Sequence, residues 1–436
     1  MARVVSLNHV GPMRRLLPLL AAVCLFSCTT GLRAQGLEAR KADSLLRAVG
    51  AQRLPVEFPN GVGTFSDFYA ALDAVIRRGE GKIDIVHCGG SHVQAGAYGQ
   101  AMRHSFESYA PSVLRERGLV VPWEAAGTHA SQGAEFFSDI PWHGGRIAVA
   151  HHEGPFGGTG MRGTATVAGD FGWSALHPTG SPFTCDRILL LGESEGWQPV
   201  WAGPPSACPS SEYKPGVGWE FTLCEPVREV RFTLVADTLG GPDSSVTRNA
   251  FHLHGAILGS TGQHGVVWHE LGVNGASTAG FLRAEGFEPT LAELGPELVI
   301  FGLGINDAHG PASGFDAHAF EKRYDQLIAS VKTAAPRSAI LLLTNTDSAY
   351  KGRSNPNAEA VRDAMFRLGE RHGVAVFDQY RSMGGSGSIH RWKSIGLAQT
   401  DLVHFTSEGY RVLARLLFDA LLAGWGDSVS PSVPER

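Results

Sequence analysis

Lys82-Ile83-Asp84-Ile85-Val86-His87-Cys88, running into Gly89-Gly90-Ser91-His92, is the stretch that decides the fold. A short apolar run bounded by a Gly-rich turn reads as a buried strand, and a largely helical segment from Ala95 to Arg115 follows it. Leu119 to Trp123 reads as a second strand. The alternation returns beyond Leu291. Strands are expected at Glu297–Phe301, Ala339–Thr344 and Val374–Phe377, and helices at Phe315–Thr333, Glu359–His372 and Ser407–Ala423, the last with Thr406 or Ser407 as N-cap. Upstream, Gln35 to Gly50 is polar and helix-prone, and Phe65, Phe68, Leu72 and Ile76 give Phe65–Arg78 a helical spacing. The expected fold class is α/β: a doubly wound parallel sheet with helices on both faces, its ligands bound beyond the carboxyl ends of the strands.

Between these two α/β stretches the pattern changes to period-two alternation. Thr164–Ala168, Arg187–Leu191, Trp219–Leu223, Val227–Val235, Phe251–Leu258 and Val266–Trp268 are strand candidates, and six of the nine tryptophans lie between Trp142 and Trp268. Such a density of short strands predicts a β-sandwich inserted into the first domain. The expected organisation is a signal region at 1–34, an α/β domain in two parts at 35–126 and 269–426, the insert at 127–268, and a tail at 427–436. Trp173, Trp197, Trp201 and Trp219 are candidate platforms for sugar rings as well as candidates for packing between the sheets.

Arg3, Arg14 and Arg15 precede an apolar stretch from Leu16 to Phe26, which reads as an export signal. Leu25-Phe26-Ser27-Cys28 resembles a lipobox, making Cys28 a candidate lipid anchor, with cleavage after Ala34 as the alternative. The expected location is therefore the periplasm, or the outer membrane or cell surface of a Gram-negative bacterium as a lipoprotein. With 37 Lys plus Arg against 42 Asp plus Glu, the chain has no basic field to gather phosphates, so nucleic acid is excluded as a partner. Cys88, at a strand end, reads as a buried filler; Cys185, Cys208 and Cys224 are an odd set that permits at most one disulfide. The sequence leaves the pairing and the oligomeric state open.

Four segments carry chemistry, each at an expected strand end. Ser91 stands between strand and helix, a position that exposes a nucleophilic hydroxyl. Gly275, in Val273-Asn274-Gly275-Ala276, lets a substrate oxygen approach the backbone. Asn306, in Gly302-Leu303-Gly304-Ile305-Asn306-Asp307, can donate its amide to an oxyanion. Asp401 lies three residues before His404, so its carboxylate can hold the near ring nitrogen while the far one faces the cleft. Taken singly, each has an ordinary reading as a turn, an Asx cap or a helix cap. His92 is the rival base, disfavoured because it adjoins Ser91 directly. A metal would need further ligands near the Asp401–His404 pair in sequence, so no metal and no cofactor is called for.

In this order the segments resemble the four blocks of the SGNH (GDSL-type) hydrolases, over roughly residues 81–110 and 270–425. Met383-Gly384-Gly385-Ser386-Gly387-Ser388, Trp392, Gly396-Leu397-Ala398 and His404-Phe405-Thr406-Ser407-Glu408-Gly409-Tyr410 resemble exported bacterial members that act on peptidoglycan or polysaccharide O-acetyl groups. In peptidoglycan O-acetylesterases of this superfamily a β-sandwich carbohydrate-binding module is inserted after the first block. The resemblance implies a cofactor-free esterase with the triad Ser91, His404 and Asp401, an oxyanion hole of Ser91, Gly275 and Asn306, and an acetylated polysaccharide or peptidoglycan as substrate. One position departs from the pattern: the family's Asp before the serine is Gly90 here. A polysaccharide O-acetyltransferase, a long-chain lipase or thioesterase, and an inactive carbohydrate-binding protein are the competing readings.

Overall fold

The computed structural model describes residues 41–110, 116–175, 183–237, 250–261 and 265–429. The export-signal and lipobox readings, with Cys28, fall outside them. Residues 41–48 are helical; the compact body begins at Val49.

Five parallel strands form the central sheet: β1 (Lys82–Gly89), β2 (Gly265–Gly272), β3 (Leu298–Gly302), β4 (Ala339–Leu343) and β5 (Ala375–Phe377), in the order β2-β1-β3-β4-β5. That is a doubly wound order whose direction reverses at β1, the place where ligands bind in such sheets. On one side pack α1 (Phe65–Asp73), α2 (Ala97–Tyr109) and α5 (Ser407–Val429), and on the other α3 (Ala317–Ala334) and α4 (Ala358–His372). Asp316 caps α3 by accepting from the Ala319 N–H. Helix α5 runs past the expected end at Ala423, because the helix buries Trp425 against Tyr109 and beneath the Arg77 guanidinium.

The insert is an antiparallel sandwich. Its larger sheet runs His143–Arg146, Met161–Ala165, Phe251–Gly259, Cys185–Ser194, Gly218–Val227, Ser210–Lys214; its smaller one runs Ala134–Ser138, Gly169–Ala175, Glu229–Ala236, Trp197–Trp201. Phe171 and Phe232 of the smaller sheet meet Phe251 and Phe221 of the larger at ring separations of 4.9–5.9 Å. Trp173 is fully buried in this core and offers no platform; Trp197, Trp201 and Trp219 are part-exposed.

Two strand assignments change. Gly118–Val120, expected in the α/β domain, pairs antiparallel with Phe251–Gly259 and so joins the sandwich's larger sheet. Val266–Trp268, expected in the insert, belongs to β2 of the parallel sheet, in register with β1 from Lys82↔Gly265 to Gly89↔Gly272. All eight residues of β2 are buried, as in a strand covered on both faces, and a strand buried on both faces shows no alternation to place it by.

Candidate active site

Ser91, His404 and Asp401 converge at the carboxyl end of the sheet. The Ser91 hydroxyl donates to His404 Nε2 at 2.8 Å, and His404 Nδ1–H donates to Asp401 Oδ2 at 2.7 Å. Asp401 Oδ1 accepts the backbone N–H groups of Val403 (2.9 Å) and His404 (3.0 Å). The carboxylate can fold back over so short a span because Leu402, between the two, is left-handed with φ 58°. Partial burial alone would raise the Asp401 carboxyl, but the hydrogen bonds from His404 and Val403 outweigh it and hold it below the ordinary carboxylate range. The side chains of His404 and Asp401 are 34% and 45% exposed, so the site is open to water.

His92 takes no part in this relay. Its ring is buried between His404, Phe405 and Tyr410, with Nδ1 hydrogen-bonded to the Tyr410 hydroxyl at 3.0 Å. Burial, then the neighbouring His404, pushes its pKa down to about 3 and keeps it neutral. Cys88 is wholly buried, which pushes its thiol far above the ordinary range and removes it as a nucleophile.

The segments that carry the expected oxyanion donors adjoin the Gly90–Ser91 turn: Asn306 Nδ2 lies against Gly90, and the Asn274–Gly275 loop is tied to Gln94 on the Ser91 turn. Neither the Ser91 nor the Gly275 backbone N–H has an acceptor among the described residues. The Asn306 amide donates one hydrogen to the Ala276 carbonyl at 2.9 Å, which fixes its plane and leaves the second for a ligand. A Cβ at residue 90 would lie 2.9 Å from Asn306 Nδ2. The glycine where the family carries Asp is therefore the space in which the amide sits.

Two supports were not foreseen. Gln94, buried three residues after Ser91 on the same turn, accepts from the Asn274 N–H at 2.6 Å and donates to the His129 carbonyl (2.7 Å) and the Thr128 hydroxyl (3.1 Å). It ties the Gly275 loop to the first loop of the insert. The i, i+3 spacing from Ser91 is its only trace in the sequence. Asp307, beside Asn306, accepts from the Thr278 N–H and hydroxyl, and Arg323 donates to that hydroxyl at 2.7 Å. Burial raises the Asp307 carboxyl despite these bonds.

The insert also reaches the cleft. Gln132 donates to the Ser407 hydroxyl at 2.8 Å, near His404 in sequence, and Ala148 Cβ lies 3.7 Å from where a Cβ on Gly275 would be. Arg283 pins that segment through the carbonyls of Ile147 and Val149, both at 2.9 Å. The exposed His129 and Gln132 thus belong to the site's surroundings.

Residues 238–412 match the model of the GDSL-like Lipase/Acylhydrolase family; the matched segment includes Gly275, Asn306, Asp401 and His404, while Ser91 lies before it. A solved structure described as "Peptidoglycan O-acetylesterase in action, 5 min" is similar in fold, with a TM-score of 0.69 at 17% identity, over 85% of this chain and 99% of that one. An acetyl xylan esterase, AlAXEase, is 21% identical over 37% of this chain and 82% of its own, with a TM-score of 0.29. A lipase/acylhydrolase from Enterococcus faecalis is 18% identical over 38% and 77%, also with a TM-score of 0.29. No curated protein matches the chain.

Proposed function

We propose that this chain is a carboxylic ester hydrolase of the SGNH type that removes O-acetyl groups from a cell-wall or extracellular polysaccharide after export, with Ser91, His404 and Asp401 as its triad; the match of residues 238–412 to the GDSL-like Lipase/Acylhydrolase family supports the activity. The observation that carries this reading is the unbroken relay from Asp401 through His404 to the Ser91 hydroxyl.

In this mechanism His404 Nε2 takes the Ser91 proton as Oγ attacks the acetyl carbonyl, and Asp401 stabilises the imidazolium. The oxyanion forms against the Ser91 and Gly275 N–H groups and the free amide hydrogen of Asn306. Each such donor is worth about 3 kcal/mol in the transition state. His404 then protonates the departing sugar alcohol, and a water activated by the same imidazole releases acetate from Ser91. No cofactor enters. The exposure of His404 and Asp401 favours water over a second sugar as acyl acceptor. Support for a glycan comes from the insert, with part-exposed Trp197, Trp201 and Trp219, and from the overall fold shared with a peptidoglycan O-acetylesterase.

Acetate release from O-acetylated peptidoglycan and from acetylated plant polysaccharides, wild type beside Ser91→Ala, tests the reading. Release by the wild type alone is expected. Equal release by both proteins would overturn the triad; hydrolysis of aryl acetates with no release from either glycan would overturn the substrate class and leave the esterase standing.

A further inference from the structure

Of the three cysteines in the insert, the fold brings two together. The Ser210–Lys214 and Gly218–Val227 strands pair in register from Gly218↔Lys214 to Thr222↔Ser210. The ladder ends there, and extending its register by two residues points Cys208, which follows the 3-10 turn, toward Cys224; both are exposed. Directly opposed residues of an antiparallel pair have Cα atoms about 4.5–5.5 Å apart, within the span of a disulfide. Cys224 Sγ lies 3.6 Å from the Cys208 carbonyl oxygen, and the two thiols are within hydrogen-bonding reach of each other. Cys185 is excluded by parity: it is buried, facing the core opposite Val227, while Cys224 shares its outward face with Thr222. Cys88 is buried in β1.

We propose that Cys208 and Cys224 are a redox-closed pair that forms a disulfide and staples the rim of a groove on the insert. That groove, of about 720 Å³, lies between Ala202–Ala207 and Glu225–Glu229. Its first rim carries a 3-10 turn, Pro205–Ala207, outside every strand ladder; the rim is held by buried Ala207 and by the Ala202 N–H, which donates to the Arg231 carbonyl at 2.8 Å, and the disulfide would add a covalent tie at the turn's end. In the closing step both S–H bonds break and one S–S bond forms. The two electrons and two protons pass to a disulfide oxidant, either a small disulfide such as oxidised glutathione or an oxidising dithiol–disulfide protein, which becomes two thiols. The proposal goes beyond the esterase reading and does not depend on it.

The test uses the full chain, reduced and then incubated with oxidised glutathione, alkylated without denaturant and digested without reductant. Reduced protein is expected to be alkylated at both Cys208 and Cys224. Oxidised protein is expected to be alkylated at neither and to yield one peptide pair joined Cys208–Cys224, with two hydrogens fewer than the sum of its parts. The insert's unfolding midpoint should rise by about 6–12 °C on oxidation, the size expected for closing a hairpin-sized loop in a domain of this length. Cys185→Ser should leave the cross-link intact. A link from either residue to Cys185, a cross-link between molecules, or persistent alkylation of both thiols after oxidation would each overturn the proposal.

Discussion

Gly90→Ala probes the proposed oxyanion hole separately from the rest of the fold. The added Cβ would sit 2.9 Å from Asn306 Nδ2, whereas ordinary contact needs roughly 3.5 Å, so the amide must retreat by about 0.6 Å. It can do so, since the atom struck is the end of a side chain whose anchor is one hydrogen bond to Ala276. Gly90 has φ −92°, so alanine meets no left-handed strain, and the unfolding midpoint of the variant, measured alongside, separates a local loss from a loss of fold. Catalysis should suffer. Losing a whole oxyanion donor costs about 2.7–4 kcal/mol, or 10²–10³ in turnover, and a misplacement of about 1 Å already costs up to 10². We therefore expect kcat on an acetyl ester to fall about 10- to 100-fold, with KM little changed. Asn306→Ala should cost at least as much, and the double variant should be no more than about twofold slower than Asn306→Ala alone, because the methyl acts only through the amide it displaces. Full activity in Gly90→Ala, or losses that multiply in the double variant, would refute this account of the glycine.

Gln94→Leu should lower kcat about tenfold by freeing the Asn274–Gly275 loop, while Gln94→Glu, which keeps the acceptor for Asn274 N–H but not the donor to His129 and Thr128, should retain kcat and raise KM on a glycan; equal kcat in both variants would show that Gln94 is not a positioning residue. Glu270 is, among the described residues, the carboxylate facing two buried guanidiniums, Arg103 at 2.9 Å and Arg117 at 3.8 Å, so Glu270→Ala should cost about 3–5 kcal/mol of stability in urea titrations, and a loss under about 1 kcal/mol would contradict that. Burial holds His87, His92 and His254 at about 3, against about 6.5 when unfolded. Between those values the unfolded chain binds more protons, so stability should fall as pH drops from about 6.5 toward 3. His87→Phe, replacing a ring with no partner for either nitrogen among the described residues, should flatten that limb in urea midpoints measured across the range.

What the sequence made legible was the strand ends, because alternation marks them. Ser91, Asp401 and His404, distant in the chain, come within hydrogen-bonding distance there, and β1, β3, β4 and β5 fall within a residue or two of expectation. What stayed hidden is carried by contacts between segments distant in the chain. Gln94 is an unremarked polar residue on a helical turn until the Gly275 loop, 180 positions away, meets it. The role of Gly90 depends on an amide more than 200 residues downstream. The pairing of Cys224 with Cys208 rather than Cys185 is fixed by strand register, which a hairpin sets only once its partner strands are known.

The misplaced strands explain how so large an insert is tolerated. Parallel neighbours such as β1 and β2 cannot be joined by a tight turn and need a crossover; here the crossover holds α2 and the whole sandwich. Its entry and exit are neighbours: Gly118–Val120 pairs with Phe251–Gly259, the Leu119 N–H donates to His269 Nδ1 on β2 at 3.2 Å, and His269 Nε2–H donates to Asp84 on β1 at 2.8 Å. The sandwich thus enters and leaves at one point beside the sheet, so its size imposes no strain on the β1–β2 register. An insert joined in this way can shape the surroundings of Gly275 and Ser407 without moving Ser91.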